Sequence, residues 1–273
     1  VAAAERRRKE MRHLSTRKIA WLVIALPALF VILSALIVAA VHGEAAAEGG
    51  PTGAEVLDRF VEASGGLKAY DAIENRKATA SLSIPLQGMT FNVTVWSARP
   101  GNAYTLIESD MLGKIEKGVS GDVVWEKSIM TGPVIKEGSE REAALREAVF
   151  EKFIYWRDSF EKAELQGEET VGGADCWKVL LSPETGDPFT IYFDKESGLI
   201  MRVDTVAETE MGKIPVEAHL SDYREQDGIM MSFKTIVKVL GQDRIFTTSS
   251  VEHNVDMPEG IFDLPDDIKV LQK

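Results

Sequence analysis

Cysteine is nearly absent. Cys176 stands alone among 273 residues, so no disulfide can form within the chain. It lies in the apolar run DCWKVLL with no histidine or cationic pair beside it, and reads as a buried, inert thiol. Histidines number four. His13 precedes and His42 follows a long apolar run, which leaves only His219 and His253 for the body. In HLSD, His219 and Asp222 are three apart on a strand and so point to opposite faces, a spacing that builds no shared metal or acid–base site. The G-x-x-x-x-G-K-[ST] phosphate loop, the G-x-G-x-x-G dinucleotide turn, the H-E-x-x-H zinc pair and a paired C-x-x-C are all missing. GVSGD (Gly118 to Asp122) is not a G-x-S-x-G elbow, and no strand-to-helix step follows it. N-V-T at Asn92 is a nominal glycosylation site but falls mid-strand. The acids fall in turns and on alternate strand positions, the pattern of a solvated face. These absences point away from an enzyme, name no catalytic residue, and offer no metal site.

Positive charge is also scarce outside one segment. The chain carries a net −12, yet its first 18 residues hold seven Lys/Arg against two Glu. The body is therefore strongly acidic, which excludes a basic face for nucleic acid. Residues 19–41 form a run of 23 without charge, IAWLVIALPALFVILSALIVAAV. At about 1.5 Å per residue such a run spans a hydrocarbon core of about 30 Å. The basic residues before it place residues 1–18 in the cytoplasm and everything after residue 42 outside it. The run reads either as an uncleaved inner-membrane anchor or as a signal segment, with AAAE (Ala45 to Glu48) as a small-residue cleavage site. Either way the body is exported to the periplasm. No cysteine stands at the end of the run to carry a lipid.

Residues 42–53, HGEAAAEGGPTG, read as a linker, and the domain occupies 54–273. Thr52 with Glu55 makes a capping box, and Val56, Leu57, Phe60 and Val61 follow at helical spacing until SGG breaks the helix. A second short helix carries Leu67, Tyr70 and Ile73. After Asn75 the period becomes two. Ala80, Leu82 and Ile84 alternate up to a turn at Gly88, and Met89, Phe91, Val93 and Val95 alternate after it. Strand patterns recur near 103–109, 112–119 and 122–128. SEREAALREAVFEKFIYWRD (139–158) interrupts them as one amphipathic helix, with Ser139 as cap and Glu142 at the third position. Strands then resume near 160–168, 174–182, 187–194, 198–207, 212–223, 228–240 and 243–255. No βαβ alternation occurs, so the expected class is mainly β (α+β): one curved antiparallel sheet whose concave apolar face is covered by helices.

In IYFDKESGLIMRVD, Ile191 and Phe193 alternate with Tyr192, and Leu199, Met201 and Val203 alternate with Ile200 and Arg202. Asp194 and Gly198 then form the polar, solvent-exposed tip of a hairpin rather than a catalytic loop. Methionines flank turns or strands throughout: Met89, Met111, Met130, Met201, Met211, Met230 and Met231. Methionine adapts to varied apolar ligands, although ordinary core filling is the better explanation of any one of them taken singly. The candidate lining of a greasy cavity between sheet and helices is Met89, Phe91, Val93, Val95, Phe150, Phe153, Phe189, Ile191, Phe193, Met201, Met231 and Phe233.

The order of segments, with the stretches EASGGLKAYDAI, GKIEKGVSGDVVWE, YFDKESGLIMRVD and LSDYREQDGIMMSF, resembles the LolA/LolB-like lipoprotein-localisation fold over roughly residues 53–263, in particular bacterial outer-membrane lipoprotein-sorting proteins. The resemblance implies an incomplete β-barrel of about eleven strands with helices plugging a hydrophobic cavity, and no cofactor. It also implies a role in carrying, receiving or sensing the acyl chains of lipoproteins. No motif fixes the position of the family's cavity arginine. The expected partners are lipid or lipoprotein acyl chains, the membrane through residues 19–41, and a possible envelope protein if the domain is a tethered periplasmic sensor. A hydrolase is disfavoured because no nucleophile–base pair is present.

Overall fold

The computed structural model describes residues 50–272 apart from 111, 210 and 211. The basic segment 1–18, the apolar run 19–41, most of the linker, Met111 and Met211 lie outside the described residues. Among the described residues no helix is long and apolar enough to cross a membrane.

Helix α1 (Gly53–Ala63) begins at the expected capping box: Thr52 accepts from the Glu55 amide, and the Glu55 carboxylate accepts from the Thr52 amide at 2.7 Å. Its apolar stripe is buried, Leu57 completely. The short α2 (Leu67–Asp71) follows the glycine break. Thirteen strands then form one open antiparallel sheet. The first meander is β1 (Asn75–Ile84), β2 (Met89–Ala98), β3 (Asn102–Ser109), β4 (Gly113–Ser120), β5 (Val123–Ser128) and β6 (Gly132–Ile135). The second is β7 (Lys162–Val171), β8 (Ala174–Ser182), β9 (Phe189–Asp194), β10 (Ile200–Thr209), β11 (Gly212–Gln226), β12 (Ile229–Val239) and β13 (Gln242–His253). Pairing of β1 with β13 joins the two meanders, leaving β6 and β7 as free edges. The count exceeds the expected eleven; β6 is only four residues long, contains Pro133 and lacks any alternation that periodicity could detect.

The sheet curves so that inner residues of β3 and β4 share one core with those of β8 to β13. Helix α1 covers one wing, its Phe60 ring 5.5 Å from Phe193. The expected helix over 139–158 is instead broken. Helix α3 (Gly138–Ala148) and the one-turn α4 (Trp156–Ser159) flank an irregular stretch in which Glu151 has φ 56°. Helix α3 starts one residue before the expected cap, and Ser139 makes no capping bond. Its Ala144, Leu145 and Ala148 pack on Ala103, Val119 and Val124 of the other wing. The Phe150 amide then donates to the Pro100 carbonyl at 3.2 Å, which pulls the chain off the helical path and drops residues 149–154 over the middle of the sheet. The apolar stripe that suggested one long helix is real, but its second half serves as a plug. The chain closes on the short α5 (Asp266–Lys269), which buries Ile268.

On the outer face Trp96, Tyr104, Gly118 and Trp125 stand in register across β2 to β5. The Trp125 ring occupies the space above Gly118, where an added Cβ would lie 2.3 Å from it. Gly118→Ala therefore forces a buried indole aside and is expected to cost about 1–3 kcal/mol, read as a lowered denaturation midpoint. An unchanged midpoint would mean that the ring moves freely.

Candidate functional site

Inner positions of β1, β2, β10, β11, β12 and β13, with the plug 147–154 above them, line a cavity of about 270 Å³. Its walls are small or apolar: Ala78, Ala80, Val93, Val95, Ile200, Val203, Leu220, Phe246 and Val251. Alanines at consecutive inner positions of β1 leave the space that Leu82 and Ile84 fill further along the same strand.

Of the sequence candidates, Val93, Val95, Phe150, Phe153 and Met231 line this cavity. Phe91, Ile191 and Phe193 face the same core but are packed solid, 2%, 0% and 1% exposed. Phe189 is held edge-on between Phe153 and Phe160, with centroids at 5.6 and 5.3 Å. Met89 packs half-buried against the same core below the cavity. Phe233 is buried with the Arg224 guanidinium 4.5 Å from its ring, and does not reach the cavity. Met201 lies on the opposite face with Val171, Cys176 and Tyr192. A bulge between Ile200 and Arg202 shifts the alternation, so Ile200 and Val203 line the cavity and Met201 does not. Cys176 is buried there, and burial raises its thiol pKa, in keeping with an inert residue.

The hairpin tip at 194–198 is as expected in its turn chemistry. Asp194 accepts from the Ser197 amide at 2.9 Å, and Gly198 has φ 78°. It is not a free tip, however. Arg59 of α1 donates to the Lys195 and Glu196 carbonyls at 2.7 and 2.9 Å, locking helix to hairpin.

The cavity also holds charge that hydrophobic periodicity does not reveal. Arg76, on an inner position of β1 and 3% exposed, lies against Glu151 of the plug in an ion pair and donates from Nε to His253 Nε2 at 3.0 Å. With Nε2 accepting, the neutral His253 carries its proton on Nδ1, which donates to Asp227 at 3.0 Å. Lys152, equally buried, pairs with Glu147 at 2.7 Å and stands 4.5 Å from the Phe189 ring centre. Burial lowers the Lys152 pKa against the raising effect of Glu147. Arg76 thus ties the sheet to the plug through Glu151, whereas the Lys152–Glu147 pair lies within the plug and Lys152 meets the sheet at the Phe189 ring. Among the described residues no group of three or more His, Cys, Asp or Glu side chains could hold a metal ion.

Burial first, then the Arg76 guanidinium, lowers the His253 pKa, against the opposing pull of Asp227 and Glu151. Its folded-state value therefore lies below the unfolded value of about 6.5. The contribution to stability is complete above that pH and is lost as pH falls toward the folded-state value, because the unfolded chain takes up the proton first. His253→Gln should accordingly flatten the fall in melting temperature between about pH 6.5 and 5. Parallel curves for the two proteins would show that His253 carries none of that fall.

No family model matches the chain, and no curated protein matches it in sequence. Solved structures do match the fold. A DUF1329 family protein from Desulfovibrio piger superposes with a TM-score of 0.55 at 17% identity, covering 77% of this chain and 96% of its own. A LolA superfamily protein from Nitrosomonas europaea gives 0.54 at 13% identity, covering 79% and 99%. A domain from Vibrio parahaemolyticus named for outer membrane lipoprotein sorting gives 0.53 at 12%, covering 77% and 97%. The described domain has a LolA-like fold; at these identities the likeness concerns the fold alone.

Proposed function

We propose that the domain is a non-enzymatic, extracytoplasmic protein that binds the acyl chains of lipids or lipoproteins in the cavity beneath the plug, in the service of outer-membrane lipoprotein sorting. The observation that carries this reading is the apolar cavity of about 270 Å³ between the sheet and residues 147–154. It falls just below the range of about 300–1,000 Å³ for small-molecule sites, and its lining is mostly hydrocarbon. Each buried CH₂ contributes about 0.8 kcal/mol, so a modest length of chain supplies useful affinity without any reactive group. Titration of delipidated protein with a fluorescent fatty acid tests the reading. Saturable binding at one probe per chain is expected; a signal that never saturates, or none, would refute it.

A second reading is a tethered periplasmic sensor or protein-interaction domain, favoured by the uncharged run 19–41. Fractionation separates the two. An intact, membrane-bound chain favours the sensor, and a chain released without residues 1–47 favours a carrier.

A further inference from the structure

The sheet is continuous in strand order but not along every ladder. Pairing between β12 and β13 ends at Lys234 with Thr247. Both strands run on past that point: β12 back to Ile229 against β11, and β13 forward to His253 against β1. Residues 229–233 therefore face residues 248–252 with no bridge between them, over a length of about 15 Å at 3.3 Å per residue.

Two local irregularities separate the strands. The β1–β13 register shifts between Thr79 and Ala80, and the extra residue Ser249 is held toward β1 by a hydroxyl contact of 2.8 Å to Thr79 and a bond of 3.1 Å to its carbonyl. On the other side the β11–β12 ladder skips Asp222 and Phe233, and Asp222 has φ 53°. One strand leans toward β1 while its neighbour twists with β11.

The cavity reaches this split. Met230, Met231 and Ser232 all line it. Successive residues of a strand point to opposite faces, so three in a row touch one space only where that space passes the edge of the strand. Thr248 and Val251 line it from the β13 side. We propose that the split between β12 and β13 is the doorway of the cavity, through which the alkyl chain of an amphiphile slides in sideways while its headgroup stays outside the sheet. The proposal rests on the acyl-binding reading and adds the route and the shape of ligand it admits.

The chemistry of the rim fits that occupant. Two flexible methionines and two small hydroxyl residues border the gap, while Lys234, Thr247 and Ser249 stand exposed outside it. A peptide strand fits less well. The Met230 amide, which would pair with an added strand, is already bonded to the Ser64 carbonyl at 2.9 Å. The end of the split nearest the β11–β12 turn is closed by this Ser64 contact and by the 3.0 Å bond from His253 to Asp227, which leaves the opening between residues 231–233 and 248–250. A side opening suits a chain that remains attached to a large headgroup, since the headgroup then never has to enter the cavity.

Ser232→Cys with Ser249→Cys places thiols at positions that would face each other had the ladder continued, and buried Cys176 leaves these as the reactive pair. A short bis-maleimide with a cleavable linker then bridges the split in the purified full chain. In stopped-flow mixing with a fluorescent fatty acid, bridging should slow both association and dissociation about tenfold or more relative to the same double variant before bridging, because a doorway controls passage in both directions. Cleavage of the linker should restore both rates. The same bridge between Asn92→Cys and Glu108→Cys, on the outer face of β2 and β3, should leave the rates unchanged. Ser249→Trp, which crowds the rim without a bridge, should slow both rates in the same direction. Unchanged rates in the bridged protein and in Ser249→Trp, or equal slowing by the control bridge, would overturn the doorway. Absence of saturable binding in the unbridged wild-type chain would instead remove the acyl-binding reading beneath it.

Discussion

Arg76→Ala should lower the stability of the domain by about 3–5 kcal/mol, the cost of leaving a buried charge without its partner. The side chain is almost wholly enclosed, and its guanidinium meets both the Glu151 carboxylate and the His253 ring. Removal strands Glu151, whose side chain is 16% exposed, in a mostly apolar cavity. It also removes the donor to His253 and the cation 5.5 Å from the Phe150 ring. Urea unfolding measures the loss as a drop in midpoint at constant slope. The double change Arg76→Met with Glu151→Gln should recover most of it, since a neutral pair leaves no unpaired charge behind. Equal destabilisation in the single and double variants would show that the unpaired Glu151 charge is not the source of the loss.

Ala80→Trp should abolish tight acyl-chain binding while leaving the fold intact. Ala80 faces Val93 across the β1–β2 ladder, and both line the cavity. An indole there takes the space of several methylenes. Losing four at about 0.8 kcal/mol each weakens binding by about 3 kcal/mol, which is on the order of 100-fold in Kd. Because the new ring enters empty space and not a packed core, the melting temperature should change little. A comparable Kd for wild type and variant would mean that the chain binds elsewhere. A large fall in melting temperature would mean that the cavity is tighter than its geometry indicates.

Much of this fold can be read directly along the chain, because burial on one face of a strand writes a period of two into the sequence. The inner sets Ala80–Leu82–Ile84 and Phe91–Val93–Val95 follow that rule without interruption. The cap at Thr52 and the left-handed Gly88, with φ 62°, are equally local. What periodicity cannot give is depth along a strand. Phe91 and Val93 are successive inner residues of β2, yet one is solid core and the other is cavity wall, a difference set by what lies opposite. Nor can it reveal a bulge in advance. Met201 looks inward by counting from Val203, and a single irregular residue turns it outward. Buried charge is the other blind spot: Arg76, Glu151 and Lys152 carry the signature of surface residues, and only the long-range Arg76–Glu151 pair and the burial of Lys152 beside Glu147 show that they lie inside. The plug has the same character. Its apolar residues continue a helical spacing, and the contact of Phe150 with Pro100 that ends the helix joins residues 50 apart in sequence.

If the space beneath residues 147–154 holds an alkyl chain, a crystal of the protein soaked with a saturated fatty acid should show it. Continuous chain density should pass Ala80, Val95, Phe246 and Val251. A cavity occupied only by ordered water, with the fatty acid absent or bound elsewhere, would contradict it.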